Sequence, residues 1–154
     1  MKSFKTVSQD ETCALGRKLG ELLKAGDVVC LVGDLGTGKT AFTKGIAEAL
    51  GISGYITSPT FTFVNEYQGW LPMFHFDVYR IGEPEDLFEI GFEEYLEQDG
   101  VVIIEWANMI KDILPSDYIW VEINKDINSD FNIRIINIQF KGRRYDDIID
   151  AQLI

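Results

Sequence analysis

Gly33-Asp34-Leu35-Gly36-Thr37-Gly38-Lys39-Thr40 matches, at every constrained position, the pattern of a glycine, four residues and then Gly-Lys-Thr. Glycines at these positions let the backbone curl so that successive N–H groups converge on an anion. Lys39 offers a point charge for the β and γ phosphates, and the Thr40 hydroxyl suits Mg²⁺. The flanks agree with this reading. Residues 27–32, DVVCLV, form an apolar run too short for a helix and read as a buried strand. Residues 41–50 place Phe42, Ile46, Ala49 and Leu50 at helical spacing, and Gly51 stops them. Strand, loop and helix N-terminus follow in the order that phosphate binding requires. The loop residues Asp34 to Ala41, Leu35 included, are therefore candidate nucleotide contacts, and the expected ligand is a nucleoside triphosphate.

Outward from this loop, the chain reads as α/β. Residues 3–7 are a short strand candidate. Ser8 with Glu11 three residues on signals a capped helix over 9–24, with Leu15, Leu19, Leu22 and Leu23 inward and Gly26 beyond its end. Residues 61–67 and 71–79 read as antiparallel strands around a Gln68-Gly69 turn. Acidic helical segments follow within 83–98, then an apolar strand at 101–106. A terminal hairpin is expected from 118–124 and 132–140 around a polar turn at 125–130, with 143–154 as a short helix or tail. The implied architecture is a three-layer fold of the phosphate-loop NTPase kind. Its central sheet is mixed and mainly parallel, with antiparallel edge strands. At 154 residues, a single domain over 1–154 is expected.

Composition narrows the function classes. The chain is 46% hydrophobic and 25% charged, ordinary for a globular protein. No run approaches a membrane span and 1–12 lacks an apolar leader, so a cytoplasmic location is expected. Cys13 and Cys30 have no ligand-like spacing and read as packing thiols. With 25 acidic against 14 basic residues, the formal charge of −11 opposes direct tRNA or DNA binding. A polynucleotide would need a basic partner to hold it.

In a parallel sheet the ligand sits at the carboxyl ends of the strands. Two strands end there in acids: Asp77 closes Met73-Phe74-His75-Phe76-Asp77, and Glu105 closes Val101-Val102-Ile103-Ile104-Glu105. Such acids orient Mg²⁺ beside a phosphate loop or position an attacking water, which makes Lys39, Asp77 and Glu105 the catalytic candidates and Thr40, Asp77 and Glu105 the metal candidates. Thr57-Ser58-Pro59-Thr60 lies where many NTPases sense the γ-phosphate, so Ser58, Pro59 and Thr60 form a candidate switch loop; an ordinary turn fits the same residues. His75 is the single histidine, and packing or hydrogen bonding suits it better than base catalysis. Arg80, alone between Arg17 and Arg134, is a candidate phosphate or partner contact, as is His75. Trp106 follows Glu105 and reads either as an aromatic beside the nucleotide or as core filling.

A GTPase is disfavoured. Arg80, not glycine, stands three residues after Asp77, and Asn124-Lys125-Asp126 puts its acid one position early for guanine. A small-molecule kinase wants several arginines around its acceptor, and here three of the five fall at Arg134, Arg143 and Arg144. An ATPase that drives a partner fits better; the kinase, or a nucleotide-gated binding module without required hydrolysis, remains the alternative.

Taken together, GDLGTGKT at 33–40, TSPTF at 57–61, HFDVYR at 75–80 and the pair Glu105-Trp106 closely resemble the TsaE family, the ATPase component of bacterial tRNA threonylcarbamoyladenosine biosynthesis. The four features span about half of the chain in the family's order. The resemblance implies ATP or ADP with Mg²⁺ on a compact α/β fold, and TsaD- and TsaB-type partners that hold the tRNA. It also implies a hydrolysis step that resets the partner assembly. By matching position, Lys39 and Thr40 would hold phosphate and metal, Asp77 and Glu105 would organise Mg²⁺ and water, and 58–60 would lie in the switch-like loop.

Overall fold

A computed structural model describes residues 1–34, 36–59, 63–126, 128 and 130–148. Leu35, Thr60, Phe61 and the end of the tail, 149–154, lie outside the described residues.

Seven strands form one sheet: β1 (Lys2–Thr6), β2 (Val28–Val32), β3 (Val64–Tyr67), β4 (Met73–Asp77), β5 (Val101–Glu105), β6 (Tyr118–Lys125) and β7 (Arg134–Lys141). Their order is β1-β7-β6-β2-β5-β4-β3. The central run β6-β2-β5-β4 is parallel, while β1, β7 and β3 pair antiparallel at the flanks. Helices α1 (Gln9–Gly20) and α2 (Lys39–Ala49) cover one face. Helix α3 (Phe92–Glu97) and the 3₁₀ segments Pro84–Ile90 and Ala107–Ile113 cover the other. Strand alternation builds both layers of core. In β2, Val29 and Leu31 face Leu19, Phe42 and Ile46, whereas Val28 and Cys30 face Leu87, Phe92 and Ile110. Among the described residues, no helix is long and apolar enough to cross a membrane.

Several boundaries differ from the sequence expectation, each for a local reason. Helix α1 stops at Gly20 because the next bonds, Leu22 N–H to Leu19 and Leu23 N–H to Gly20, tighten to i→i+3 turns. Its start is as expected: Ser8 Oγ accepts the Glu11 N–H at 3.1 Å. Strand β5 ends at Glu105 because Trp106 takes a left-handed backbone, φ 63°. The β3–β4 connection covers 68–72 rather than two residues, held by the Trp70 N–H on the Leu50 carbonyl. The β6–β7 loop extends through Asn132, whose N–H bonds Asp130 Oδ1, and Ile133. The acidic 83–98 region is 3₁₀ and then α-helical, divided at Gly91. The 3₁₀ segment after Trp106 was not anticipated. In the tail, Arg143–Tyr145 forms one 3₁₀ turn.

Helices α1 and α2 pack at backbone contact. A Cβ on Gly45 would lie 1.9 Å from the Cys13 carbonyl oxygen, so only glycine permits this approach. The tight contact fixes the N-terminus of α1, with Gln9, beside the start of α2. It therefore belongs to the site as well as to the core.

Candidate functional site

The parallel pairing of β2, β5 and β4 brings three carboxyl ends to one edge. Leu31 is in register with Glu105, and Glu105 with Asp77. The 33–38 loop leaves β2 at that edge and returns into α2 through Gly38, whose φ of 108° is left-handed and disfavours any side chain. Lys39 then opens the helix and Thr40 follows, exposed.

These elements enclose a cleft of about 400 Å³. Lys39, Thr40, Ser58, Asp77, Glu105 and Trp106 line it, together with Gln9, Gly36, Gly38 and Ala41. The acids from two strands, the loop cation, a switch-loop hydroxyl and the tryptophan thus converge. Pro59 is buried next to Ser58, and both also line a neighbouring hollow of about 270 Å³ with Asp77, Tyr79, Arg80 and Trp106. Arg80 is exposed at that rim, outside the main cleft. Asp34 is exposed on the loop, and Thr37 is buried, its Oγ1 donating to the Asp34 carbonyl at 2.9 Å.

Lys39 is buried although charged. Its Nζ donates to the carbonyls of Gly33 at 2.6 Å and Asp34 at 2.9 Å, and stands 4.5 Å from the Trp106 ring centroid. Burial pushes the ammonium below the usual lysine range, against the opposing pull of Glu105, Asp77 and Asp34. The Trp106 ring, tilted against Tyr79 at 4.6 Å, therefore packs on the catalytic-candidate lysine rather than in the apolar core alone. Among the described residues, the two non-glycines with positive φ, Phe63 and Trp106, both border the 270 Å³ hollow. Backbone strain in this fold is thus concentrated at the site.

Glu105 is 3% exposed. Its Oε2 accepts from Ser58 Oγ at 2.9 Å and from His75 Nε2 at 2.7 Å. Burial pushes the carboxyl up, but the His75 and Ser58 hydrogen bonds and the charge of Lys39 outweigh it and hold Glu105 below the usual glutamate range. Asp77 moves the other way. Burial raises it and the neighbouring Glu105 adds to the rise, while the Tyr79 N–H on its Oδ1 opposes. His75 is fully buried behind Glu105, so it has no surface with which to meet a partner and acts as a hydrogen-bonding residue.

Sequence reasoning missed Arg134 and Gln9. From the start of β7, Arg134 Nε donates to the Thr37 carbonyl at 2.8 Å and Nη2 to the Gly36 carbonyl at 3.4 Å, bracing the phosphate-type loop from outside. With Ser8, Gln9, Thr12 and Asn132 it lines a second cavity of about 260 Å³ that shares Gly36, Gly38 and Ala41 with the cleft. A contact across 97 residues has no local signature. The solitary arginine at the start of an apolar strand was the available hint.

The donor set suits a hard cation. A threonine hydroxyl and one or two carboxylates beside a phosphate cradle match magnesium, which keeps waters and substrate oxygens rather than a full protein cage.

Comparison with known proteins agrees with this architecture. The model of the family described as "Threonylcarbamoyl adenosine biosynthesis protein TsaE" matches residues 6–133. The chain is 43% identical over 145 residues to the tRNA threonylcarbamoyladenosine biosynthesis protein TsaE of Bacillus subtilis, covering 93% of this chain and 88% of that one. It is 46% identical over 108 residues to the protein of the same name in Treponema pallidum, covering 70% and 80%. A crystal structure of YdiB from Bacillus subtilis superposes with a TM-score of 0.82 at 36% identity, covering 98% of this chain and 93% of that one. On these grounds, and with the loop, the strand-end acids and the Glu105-Trp106 pair in one cleft, the chain belongs to the TsaE family.

Proposed function

We propose that this chain binds ATP with Mg²⁺ and hydrolyses it in support of tRNA threonylcarbamoyladenosine biosynthesis. The single observation that carries the reading is the convergence of Lys39, Thr40, Ser58, Asp77 and Glu105 on one cleft at the mouth of the glycine loop. The names of its relatives supply the pathway. The charge of −11 supports a division of labour in which TsaD- and TsaB-type partners hold the tRNA, in the cytoplasm.

In this reading the loop amides from Gly36 to Thr40 receive the phosphates, and Lys39 moves its charge from the Gly33 and Asp34 carbonyls onto the β and γ oxygens. The 260 Å³ cavity with Gln9, Asn132 and Arg134 receives the nucleoside end, because it adjoins the loop without sharing the acids. Thr40 and Asp77 would hold the cation, which when bound would supply neutralisation of charge on the transferring phosphoryl group. Glu105, kept ionised, orients the attacking water and draws on its proton. Trp106 shields Lys39 from bulk water, and Arg80 at the rim is available to a partner or phosphate.

The test is release of phosphate from ATP by the purified chain, alone and with TsaB- and TsaD-type proteins, with Mg²⁺ or with chelator. Mg²⁺-dependent release, raised by the partners, supports the proposal. Transfer of the phosphoryl group to a metabolite, or nucleotide binding with no release in any combination, contradicts it.

A further inference from the structure

His75 and Glu105 sit diagonally on neighbouring parallel strands: His75 is in register with Ile103, two residues before Glu105. The imidazole is completely buried, its Nε2 is 2.7 Å from Glu105 Oε2, and among the described residues its Nδ1 has no hydrogen-bond partner. A buried nitrogen without a partner is uncommon and calls for a reason. An apolar side chain of similar size would remove the orphan, so packing alone does not account for a histidine here. The contact on the other nitrogen does. An ionised carboxylate only accepts, so Nε2 is the nitrogen that donates in this contact, whatever Nδ1 carries.

Ser58 Oγ donates to the same oxygen. Two donors occupy the two lone-pair directions of Oε2, and among the described residues no side chain donates to Oε1. Glu105 nevertheless lines the cleft. Its carboxylate is therefore fastened through Oε2, and Oε1 meets no donor among the described residues.

We propose that His75 is a positioning residue: by holding Oε2 from beneath the sheet edge, it fixes the Glu105 rotamer so that Oε1 faces the cleft, where water or a cation is bound. This rests on the functional reading above and adds a residue to it. His75 touches neither nucleotide nor metal, and its effect passes through Glu105 alone. Ser58 supplies the second fastening from the loop, so His75 is the half of the clamp that stays with the sheet.

Because the chain has one histidine, ¹⁵N-histidine labelling reads this ring without ambiguity. The expected spectrum has a protonated Nε2 with a slowly exchanging proton, which becomes fast-exchanging in Glu105→Ala. Phosphate release and calorimetric ADP binding, with Mg²⁺ or chelator, are then compared for His75→Gln, which keeps a donor near Nε2, and His75→Leu, which has none. His75→Leu is expected to lose roughly ten- to a hundredfold in turnover, or in the affinity that Mg²⁺ adds, with chelator-condition binding unchanged. His75→Gln is expected to recover most of the loss. A ring protonated at Nδ1 alone, an unaffected His75→Leu, or equal loss in both variants overturns the proposal. If the unsubstituted protein releases no phosphate, the hydrolysis reading fails, while the tautomer and the Mg²⁺ increment still decide the role of His75. If His75→Leu does not fold, the tautomer and its response to Glu105→Ala decide it.

Discussion

Asp77 and Glu105 are direct register partners on adjacent parallel strands, so two carboxylates leave the sheet side by side at the mouth of the glycine loop. Their surroundings push them apart in acidity. Glu105 is held below its usual range by His75, Ser58 and Lys39 despite its burial, whereas burial raises Asp77. Neighbouring acids made unequal by environment are suited to separate tasks. Glu105→Gln is accordingly expected to keep nucleotide affinity and lower phosphate release by about 10²-fold or more, the usual scale of a positioned base. Asp77→Asn is expected to weaken chiefly the Mg²⁺-dependent part of binding. Steady-state kinetics and calorimetry with and without chelator separate the two.

In the proposed function, polyphosphate affinity depends on the charge of Lys39. Its loss removes charge-assisted bonds worth about 1.5–3 kcal/mol, so Lys39→Ala should bind ATP roughly ten- to a hundredfold more weakly. The ammonium is buried on two loop carbonyls, so its removal also leaves Gly33 and Asp34 short of a donor. Thermal unfolding should therefore fall together with affinity, and calorimetry and a melting curve read both.

Arg134 braces the loop by a fork, with Nε on Thr37 and Nη2 on Gly36. A lysine has a point charge and no fork. Arg134→Lys is thus expected to lose most of the nucleotide affinity that Arg134→Ala loses, despite the conserved charge. Isothermal titration of ATP into the two variants checks this; an Arg134→Lys protein with unsubstituted affinity would show that charge, not geometry, matters.

At the opposite end of the sheet, Asp27 gathers the C-terminal segment. Its Oδ1 accepts from Arg144 Nε at 2.6 Å and Tyr145 Oη at 3.1 Å, and its Oδ2 accepts the Lys24 N–H at 2.6 Å. Burial, then the Asp27 charge and hydrogen bond, raise the Tyr145 phenol above its usual range. A raised folded-state value stabilises the fold fully below the unfolded-state value, about 10, and the contribution is lost as pH climbs beyond it. Urea unfolding should therefore show stability falling more steeply above about pH 10 in the unsubstituted protein than in Tyr145→Phe. Parallel pH curves for the two proteins would remove Tyr145 from the account.

Much of this was legible because the sequence signals were local. The 33–40 spacing marked the loop, and the two apolar runs ending in Asp77 and Glu105 marked the acids, since a parallel strand that ends in a charged residue places it at the sheet's carboxyl edge. Ser8 and Glu11 marked the start of α1. What sequence left hidden depends on distant pairing. Arg134 reaches the loop only because β7 is placed beside β6 by an antiparallel hairpin, itself beside β2. The partnership of His75 with Glu105 depends on the β4–β5 register. The left-handed turn at Trp106 is unexpected for a bulky side chain; β5 ends at it, and the ring lies over Lys39. Leu35, expected at the nucleotide, and Thr60, expected in the switch loop, lie outside the described residues.

The most direct test of the central claim is a crystal structure of the chain with a non-hydrolysable ATP analogue and Mg²⁺. The account predicts the β and γ phosphates within the 33–40 loop with Lys39 on their oxygens, the cation at Thr40 with Asp77 beside it, and a water held by Glu105. Density for the triphosphate elsewhere, or a cation remote from both strand-end acids, would contradict it.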